Sequence, residues 1–233
     1  MSEVVAPAKL TRSLRITGLR ADGYHLIDAE MVSVDLADVL TFTDGDGLEV
    51  RGGTPDVPTG PDNLVARALA AVGRRAHVVL DKQIPSGAGL GGGSSDAAAV
   101  LHWAGVADHA LAVALGGDVP FCISGGRARV TGVGELVEPL PFEPLTFTLL
   151  MPPVHCSTPA VYRAWDELGG PTVDGPNDLE PAALVVAPEL ARWRDQLGDA
   201  TGERPALTGS GSAWFVPGEH PDAGRVVHTL PPR

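Results

Sequence analysis

The segment PSGAGLGGGSSDAAA, residues 85 to 99, restricts this chain more than any other stretch. Gly87, Gly89, Gly91, Gly92 and Gly93 permit backbone conformations with positive φ and a close approach by a ligand. Ser94, Ser95 and Asp96 then open a helix, so unpaired amides and the positive end of the helix dipole converge on one spot. Such a spot binds phosphate without a basic side chain. A flexible linker would separate domains, whereas this segment joins an apolar strand, HVVLDKQI, to an alanine-rich helix, SSDAAAVLHWAG.

Two other phosphate-binding classes compete for the same residues. Gly87, Gly89 and Gly92 satisfy the dinucleotide pattern GxGxxG between a strand and a helix. A dinucleotide fold also needs a parallel strand after that helix, closed by an acidic residue. Here a second helical stretch, DHALAVALGG, follows instead, and the sequence predicts no strand before Asp118. A Walker loop is excluded more simply, because no GK[ST] follows the glycines.

The flanking sequence suggests a mixed architecture. RSLRITGLR and AEMVSVDLADVLTFT alternate apolar and polar residues as strands do, and TDGDGLEVRGG carries turn signals. Pro55 to Pro61 reads as a loop, with Asp62 as the N-cap of a helix over NLVARALAAVGRR. DVPFCISGG leads into the strand-like RARVTGV, and a cluster of prolines between Pro139 and Pro144 precedes the apolar strand LTFTLLMP. A domain boundary is expected there, giving units of residues 1–143 and 144–233. The second holds helix-like AVYRAWDEL and ELARWRDQLG, the glycine-serine segment LTGSGSAWFV, and PDAGRVVHTL. Strands first, helices in the middle and a second strand-helix unit favour α+β over a doubly wound parallel sheet.

Bulk properties narrow the partners. The net charge is −12, from 29 acidic and 17 basic residues, so a nucleic acid is not an expected partner. A small anion held by local dipoles and a few cations remains compatible with that field. No apolar run is long enough to span a bilayer, and MSEVVAPAKLTRS lacks the features of a signal peptide, so a cytoplasmic location is expected. Cys122 and Cys156 form no CxxC pair and are expected as reduced thiols. The seven histidines show no HxxxH or HExxH spacing, so metal ligands are not identifiable.

With these residues in hand, the chain resembles the GHMP small-molecule kinases (galactokinase, homoserine, mevalonate and phosphomevalonate kinases). Their central motif is close to P-x-x-x-G-L-G-[SG]-S-[SA]-A. Further segments sharpen the resemblance: PAKLTRSLRITGLRADGYH, LGGDVPFCISGGRARVTGVGE, NDLEPAA and TGSGSAWF. It runs from about Pro7 to Phe215 and points to the branch acting on a cytidine diphosphate-linked methylerythritol. The implied fold has a ribosomal-protein-S5-domain-2-like N-terminal domain and a ferredoxin-like C-terminal domain. The implied reaction uses ATP with Mg²⁺ to phosphorylate a small alcohol.

The resemblance also assigns roles. Asp118, in GGDVPF, is expected as the catalytic base, and Lys9, in PAKL, as the cation beside it that offsets charge on the attacking oxygen. ATP is expected on Pro85, Gly87, Gly89, Leu90, Gly91, Gly92, Gly93, Ser94, Ser95 and Asp96, with Asn63 and Lys82 lining its pocket. Tyr24 and His25, in DGYH, are expected at the cytidine, with Tyr162 as a second aromatic wall facing Tyr24. Gly209, Ser210 and Gly211 would bring further backbone donors to the substrate.

Three departures accompany the resemblance. Thr11 stands where the family usually has asparagine in AKxN, so a substrate contact is expected to be lost or replaced. The stretch from Asp96 to Asp118 is about ten residues shorter than expected, and the tail after Phe215 is brief. Two alternatives therefore stand beside the cytidyl substrate: another GHMP kinase with a mevalonate-like or sugar substrate, and a catalytically inactive nucleotide-binding homologue.

Overall fold

The computed structural model describes residues 1–52 and 57–233, so residues 55 and 56 of the expected 55–61 loop lie outside the described residues. Its frame is a long antiparallel hairpin, β1 (Ser2–Leu19) and β2 (His25–Thr43). The alternating apolar pattern drives its pairing. Register shifts between Pro7 and Ala8, Thr11 and Ser13, and Ile16 and Gly18 let β1 bend along the sheet. β3 (Gly47–Gly52) pairs parallel with β4 (His77–Lys82), and β4 pairs antiparallel with the C-terminal end of β2. β5 (Arg127–Gly132) pairs with the N-terminal half of β2 and with β6 (Leu136–Leu140).

Four helices accompany this sheet: α1 (Leu64–Ala71), α2 (Gly92–Ala104), α3 (His109–Leu115) and α4 (Val119–Ser124). α2 packs against β1, α1 and α4, and every residue from Ser95 to Leu101 is buried. Small side chains at Ala97, Ala98 and Ala99 let a helix be enclosed on all sides, and this fixes the glycine-rich segment at its head.

The second sheet contains β7 (Thr146–Leu150), β8 (Ala206–Leu207), β9 (Trp214–Pro217) and β10 (Arg225–His228), in the order β10-β7-β9-β8. All its pairings are antiparallel, which is the strand arrangement of a ferredoxin-like unit. The crossover from β7 to β8 carries α5 (Thr158–Glu167), α6 (Glu180–Val186) and α7 (Leu190–Thr201). The crossover from β9 to β10 is a loop, residues 218–224, where such a unit would have its second helix. This explains the brief tail after Phe215. The last residues then return to the first sheet, with Leu230 N–H donating to Ser33 O and Arg233 N–H to Ser124 O.

The structure adds to the sequence expectations at several places and shifts two helix starts. Asn63, not Asp62, caps α1, its side chain accepting from Val65 N–H. α2 begins at Gly92, two residues before the expected serine, because the left-handed Gly91 turns the chain directly into it. α4 forms within VPFCIS, where proline at the second position is compatible with a helix start. α4, α6 and β6 are each seven residues or fewer, too short for a periodic signal, and are held by tertiary contacts. No strand intervenes between α2 and Asp118, as expected.

Candidate active site

A cleft of about 860 Å³ lies along the glycine-rich segment. Gly87, Gly89 and Gly91 adopt φ of 67°, 74° and 67°. Their missing Cβ atoms face protein. A Cβ on Gly89 would come 2.1 Å from Thr208 O, one on Gly87 2.1 Å from His155 Nδ1, and one on Gly91 2.6 Å from Lys9 Cγ. These glycines thus let the loop lie flat on β1 and on the second glycine-serine segment. The amides of residues 89–94 donate to no acceptor among the described residues, and three of them belong to the first turn of α2. A run of free donors at the head of a 13-residue helix is suited to an anion.

Pro85, Gly87, Gly89, Leu90, Gly91, Gly92, Gly93, Ser94 and Asp96 all line the cleft. Ser95 does not. It is buried, and its Oγ donates to Pro7 O at 2.7 Å, anchoring α2 to β1. Asn63 lines the cleft, but its side chain is committed to capping α1 and to Pro58 O at 2.6 Å.

Lys82 reaches the same region in a buried network that includes a residue the sequence did not single out. Its Nζ contacts Asp38 and lies 2.9 Å from Asp96 Oδ2. Asp38, on β2, is fully buried, and its other oxygen accepts from the amides of Gln83 and Ile84. One carboxylate therefore clamps the start of the loop directly and its helix through Lys82. Burial opposes the Lys82 ammonium, but the two carboxylates outweigh it and raise its pKa. Burial also lifts Asp96 to about 7, with Lys82 pulling it down and Asp38 pushing it up. Asp96 Oδ1 has no hydrogen-bond partner although it is buried. No sequence signal distinguishes Asp38, within β2, from a solvated aspartate.

Lys9 and Asp118 meet at the centre of the cleft, with Nζ 3.4 Å from Oδ2. Lys9 is buried and also donates to Thr11 Oγ1 at 3.0 Å. Asp118 stands at the head of α4 with a partly exposed side chain and caps no amide with it. Gly117 before it is required by packing, since a Cβ there would be 2.8 Å from Val133 O. The Thr11 hydroxyl is thus used inside the protein, to hold the lysine, and its amide donates to Thr208 Oγ1.

The second glycine-serine segment is positioned by Asn177, in the NDLEPAA motif. Its buried Nδ2 donates to Leu207 O at 2.8 Å and Gly209 O at 2.7 Å. The neighbouring Asp178 is fully buried and accepts from Ile16 N–H and Arg15 Nη1, fastening this motif to β1. Gly209 and Ser210 line the cleft, whereas Gly211 does not, its Cα facing Leu207 and Cys156.

At the other end of the cleft the direct ring neighbour of Tyr162 is His25 rather than Tyr24. The His25 ring lies 4.9 Å from that of Tyr162 and edge-on to Trp165 at 5.5 Å. His25 Nε2 is 2.8 Å from Asp166 Oδ1. Tyr24 is 62% exposed at the hairpin turn, beneath the Arg20 guanidinium. His25 opens β2, whereas Tyr24 belongs to the turn before it. All three residues still line the cleft. Burial, and then the Asp118 charge, raise the Tyr162 phenol above its usual range, so it stays a neutral ring with a donor.

Comparison with known proteins agrees with this arrangement. The family profile described as GHMP kinases N terminal domain matches residues 63–126. A 4-diphosphocytidyl-2-C-methyl-D-erythritol kinase of Granulibacter bethesdensis is 38% identical over 97% of this chain and 88% of its own length. That of Paracoccus denitrificans is 39% identical, covering 90% and 84%. A crystal structure of 4-(cytidine 5'-diphospho)-2C-methyl-D-erythritol kinase superimposes with a TM-score of 0.79 at 36% identity, covering 99% of both chains. A mevalonate kinase structure at 12% identity and a TM-score of 0.58 shares the fold. The cleft lined by a glycine-rich loop, the arrangement of the two sheets and this level of identity agree: the chain belongs to the 4-diphosphocytidyl-2-C-methyl-D-erythritol kinase family of GHMP kinases.

Proposed function

We propose that this protein transfers the γ-phosphoryl group of ATP to the 2-hydroxyl of 4-diphosphocytidyl-2-C-methyl-D-erythritol, a step in the non-mevalonate supply of isoprenoid precursors. Small-molecule kinase activity and the use of ATP follow from the family. The observation that carries the chemistry is the Lys9–Asp118 pair, 3.4 Å apart, beside the free amides of residues 89–94. We assign the phosphate-holding and acceptor-holding halves of the cleft to residues 1–143 and to elements from both expected domains, respectively.

In this reading the triphosphate lies on the amides of 89–94, with the helix dipole of α2 behind it. Asp118 orients the acceptor hydroxyl and takes its proton as the new oxygen–phosphorus bond forms. The bond between the γ-phosphorus and the bridging oxygen breaks, and ADP leaves with that electron pair. Lys9 stabilises the developing charge on the attacking oxygen, and Thr11 fixes the lysine. His25 and Tyr162, with Tyr24 at the hairpin turn, hold the cytosine end, while Trp165 backs the His25 ring edge-on and Asp166 sets its orientation.

The site also fits Mg²⁺. The unpartnered, buried Asp96 Oδ1 lies in a residue lining the cleft, and Mg²⁺ is commonly held by one or two carboxylates plus nucleotide phosphates. Asp96 would hold it there, and the ion would neutralise charge on the triphosphate. No group of three or more His, Cys, Asp or Glu side chains arranged for a metal occurs among the described residues, which is compatible with phosphates completing the shell.

The test is an ATP-dependent assay with the cytidyl substrate for wild type and Asp118→Asn. Turnover by wild type, reduced about 10²–10⁴-fold in the variant, is expected. Equal rates in the two would remove Asp118 as the base. Turnover of mevalonate or a sugar in place of the cytidyl substrate would move the assignment elsewhere among the GHMP kinases. ATP binding without turnover of any of them would favour the inactive homologue.

A further inference from the structure

The cations lining the cleft are not equivalent. Among the described residues, the lysines and arginines that line it are Lys9, Lys82 and Arg163. Lys9 is buried against Asp118, and Lys82 is buried between Asp38 and Asp96. Arg163 is exposed and forms no ion pair or hydrogen bond among the described residues. The carboxylate one turn further along its helix, Asp166, is engaged by His25 at 2.8 Å. Arg163 follows Tyr162 on α5, so it stands at the end of the cleft opposite the free amides of residues 89–94.

The demand for such a cation is set by the two substrates. ATP and a nucleoside diphosphate ester both bring phosphates into one cleft of a protein whose net charge is −12. The free amides can serve one phosphate group of ligands, and Lys9 and Lys82 have carboxylates already. A second set of phosphates beside the His25–Tyr162 pair needs its own countercharge. A guanidinium on a helix, with five donors in a planar fork, matches a diphosphate and is less costly to desolvate than an ammonium.

We propose that Arg163 is the diphosphate-recognising residue of the acceptor site, selecting a nucleoside diphosphate ester over an uncharged nucleoside. The inference rests on the acceptor assigned above. Arg163 reaches the bridge between the cytidine and the reacting alcohol, and its charge separates the acceptor's phosphates from those of ATP.

The test is calorimetric binding of CDP and of cytidine to wild type and Arg163→Gln, with the nucleotide site filled by a non-hydrolysable ATP analogue. Wild type is expected to bind CDP at least about 10-fold more tightly than cytidine, as a single charge-assisted contact would give. Arg163→Gln is expected to lose most of that preference while holding cytidine as wild type does, and Arg163→Lys to regain part of it. Raising the salt concentration should erode the preference in wild type and leave the Gln variant nearly unchanged. An unaltered preference in Arg163→Gln, or no preference in wild type, overturns the proposal while leaving the cytidyl acceptor in place. Failure of wild type to bind either ligand would instead overturn the cytidyl acceptor itself, and this proposal with it.

Discussion

The Lys9 ammonium on β1 lies 3.4 Å from the Asp118 carboxylate at the head of α4, and the same ammonium donates to the Thr11 hydroxyl. The buried lysine is thus aimed from two sides at the one partly exposed carboxylate of the pair. This geometry makes the two residues separable by experiment. Lys9→Met keeps the length of the side chain and removes the charge. Its kcat is expected to fall about 10²-fold or more, the size of losing one electrostatic contact to a transition state. Steady-state kinetics of the single and double variants check this: Lys9→Met with Asp118→Asn should cost less than the product of the single losses, since both act on one oxygen.

Asp38 holds the start of the loop and Lys82 together from within the core. Asp38→Ala leaves two amides without an acceptor and the lysine with one carboxylate. Breaking a buried ion pair in this way is expected to cost about 3–5 kcal/mol. Urea denaturation would show it as a lower midpoint. Asp38→Asn, which keeps an oxygen for the amides, should recover part of the loss.

Gly89 is confined by φ of 74° and by Thr208 O, 2.1 Å from where a Cβ would stand. Gly89→Ala would push the loop away from the second glycine-serine segment. The expected outcome is a KM for ATP raised about 10-fold or more, with stability lower by about 1–3 kcal/mol. A KM for ATP within twofold of wild type, measured at saturating acceptor, would show that the loop tolerates the shift.

Both thiols are buried, and burial raises each, Cys156 to about 11. At pH 8 they should react with a thiol-specific reagent far more slowly than the same residues in the denatured chain, and faster as pH rises. The sign for stability is the reverse. The folded chain keeps protons that the unfolded chain releases between about pH 9 and 11, so these groups should make stability fall with rising pH across that window. Titrating the thiols with and without denaturant, and unfolding at pH 8 and 10, would check both.

Much of the fold was legible because its long elements carry periodic signals. The alternation along AEMVSVDLADVLTFT and the alanine run after Asp96 each specify one element, and both appear as expected. The short elements α4, α6 and β6 carried no such signal, because packing rather than propensity holds segments of that length. Among site residues, those on the glycine-rich loop stood out by composition, and Asp118 in GGDVPF through the family resemblance. Asp38 did not, and NDLEPAA marked Asn177 and Asp178 as part of a motif without showing what they hold, since a buried aspartate or asparagine looks in sequence like a surface one. Their roles lie in partners far along the chain, such as Leu207 and Ile16.

The sequence by itself determined that a glycine-rich turn opens a helix and leaves its amides free, because those are local consequences of residues 85 to 96. It also determined the family, through several motifs in order. Tertiary structure alone decided what the glycines face, which is Lys9, His155 and Thr208 rather than empty space. It also decided that His25, not Tyr24, meets Tyr162, and that Thr11 serves Lys9. The physical reason is the same in each case. Local conformation follows from neighbouring residues, whereas the partner of a side chain depends on which distant backbone the folding of two sheets brings within a few ångströms.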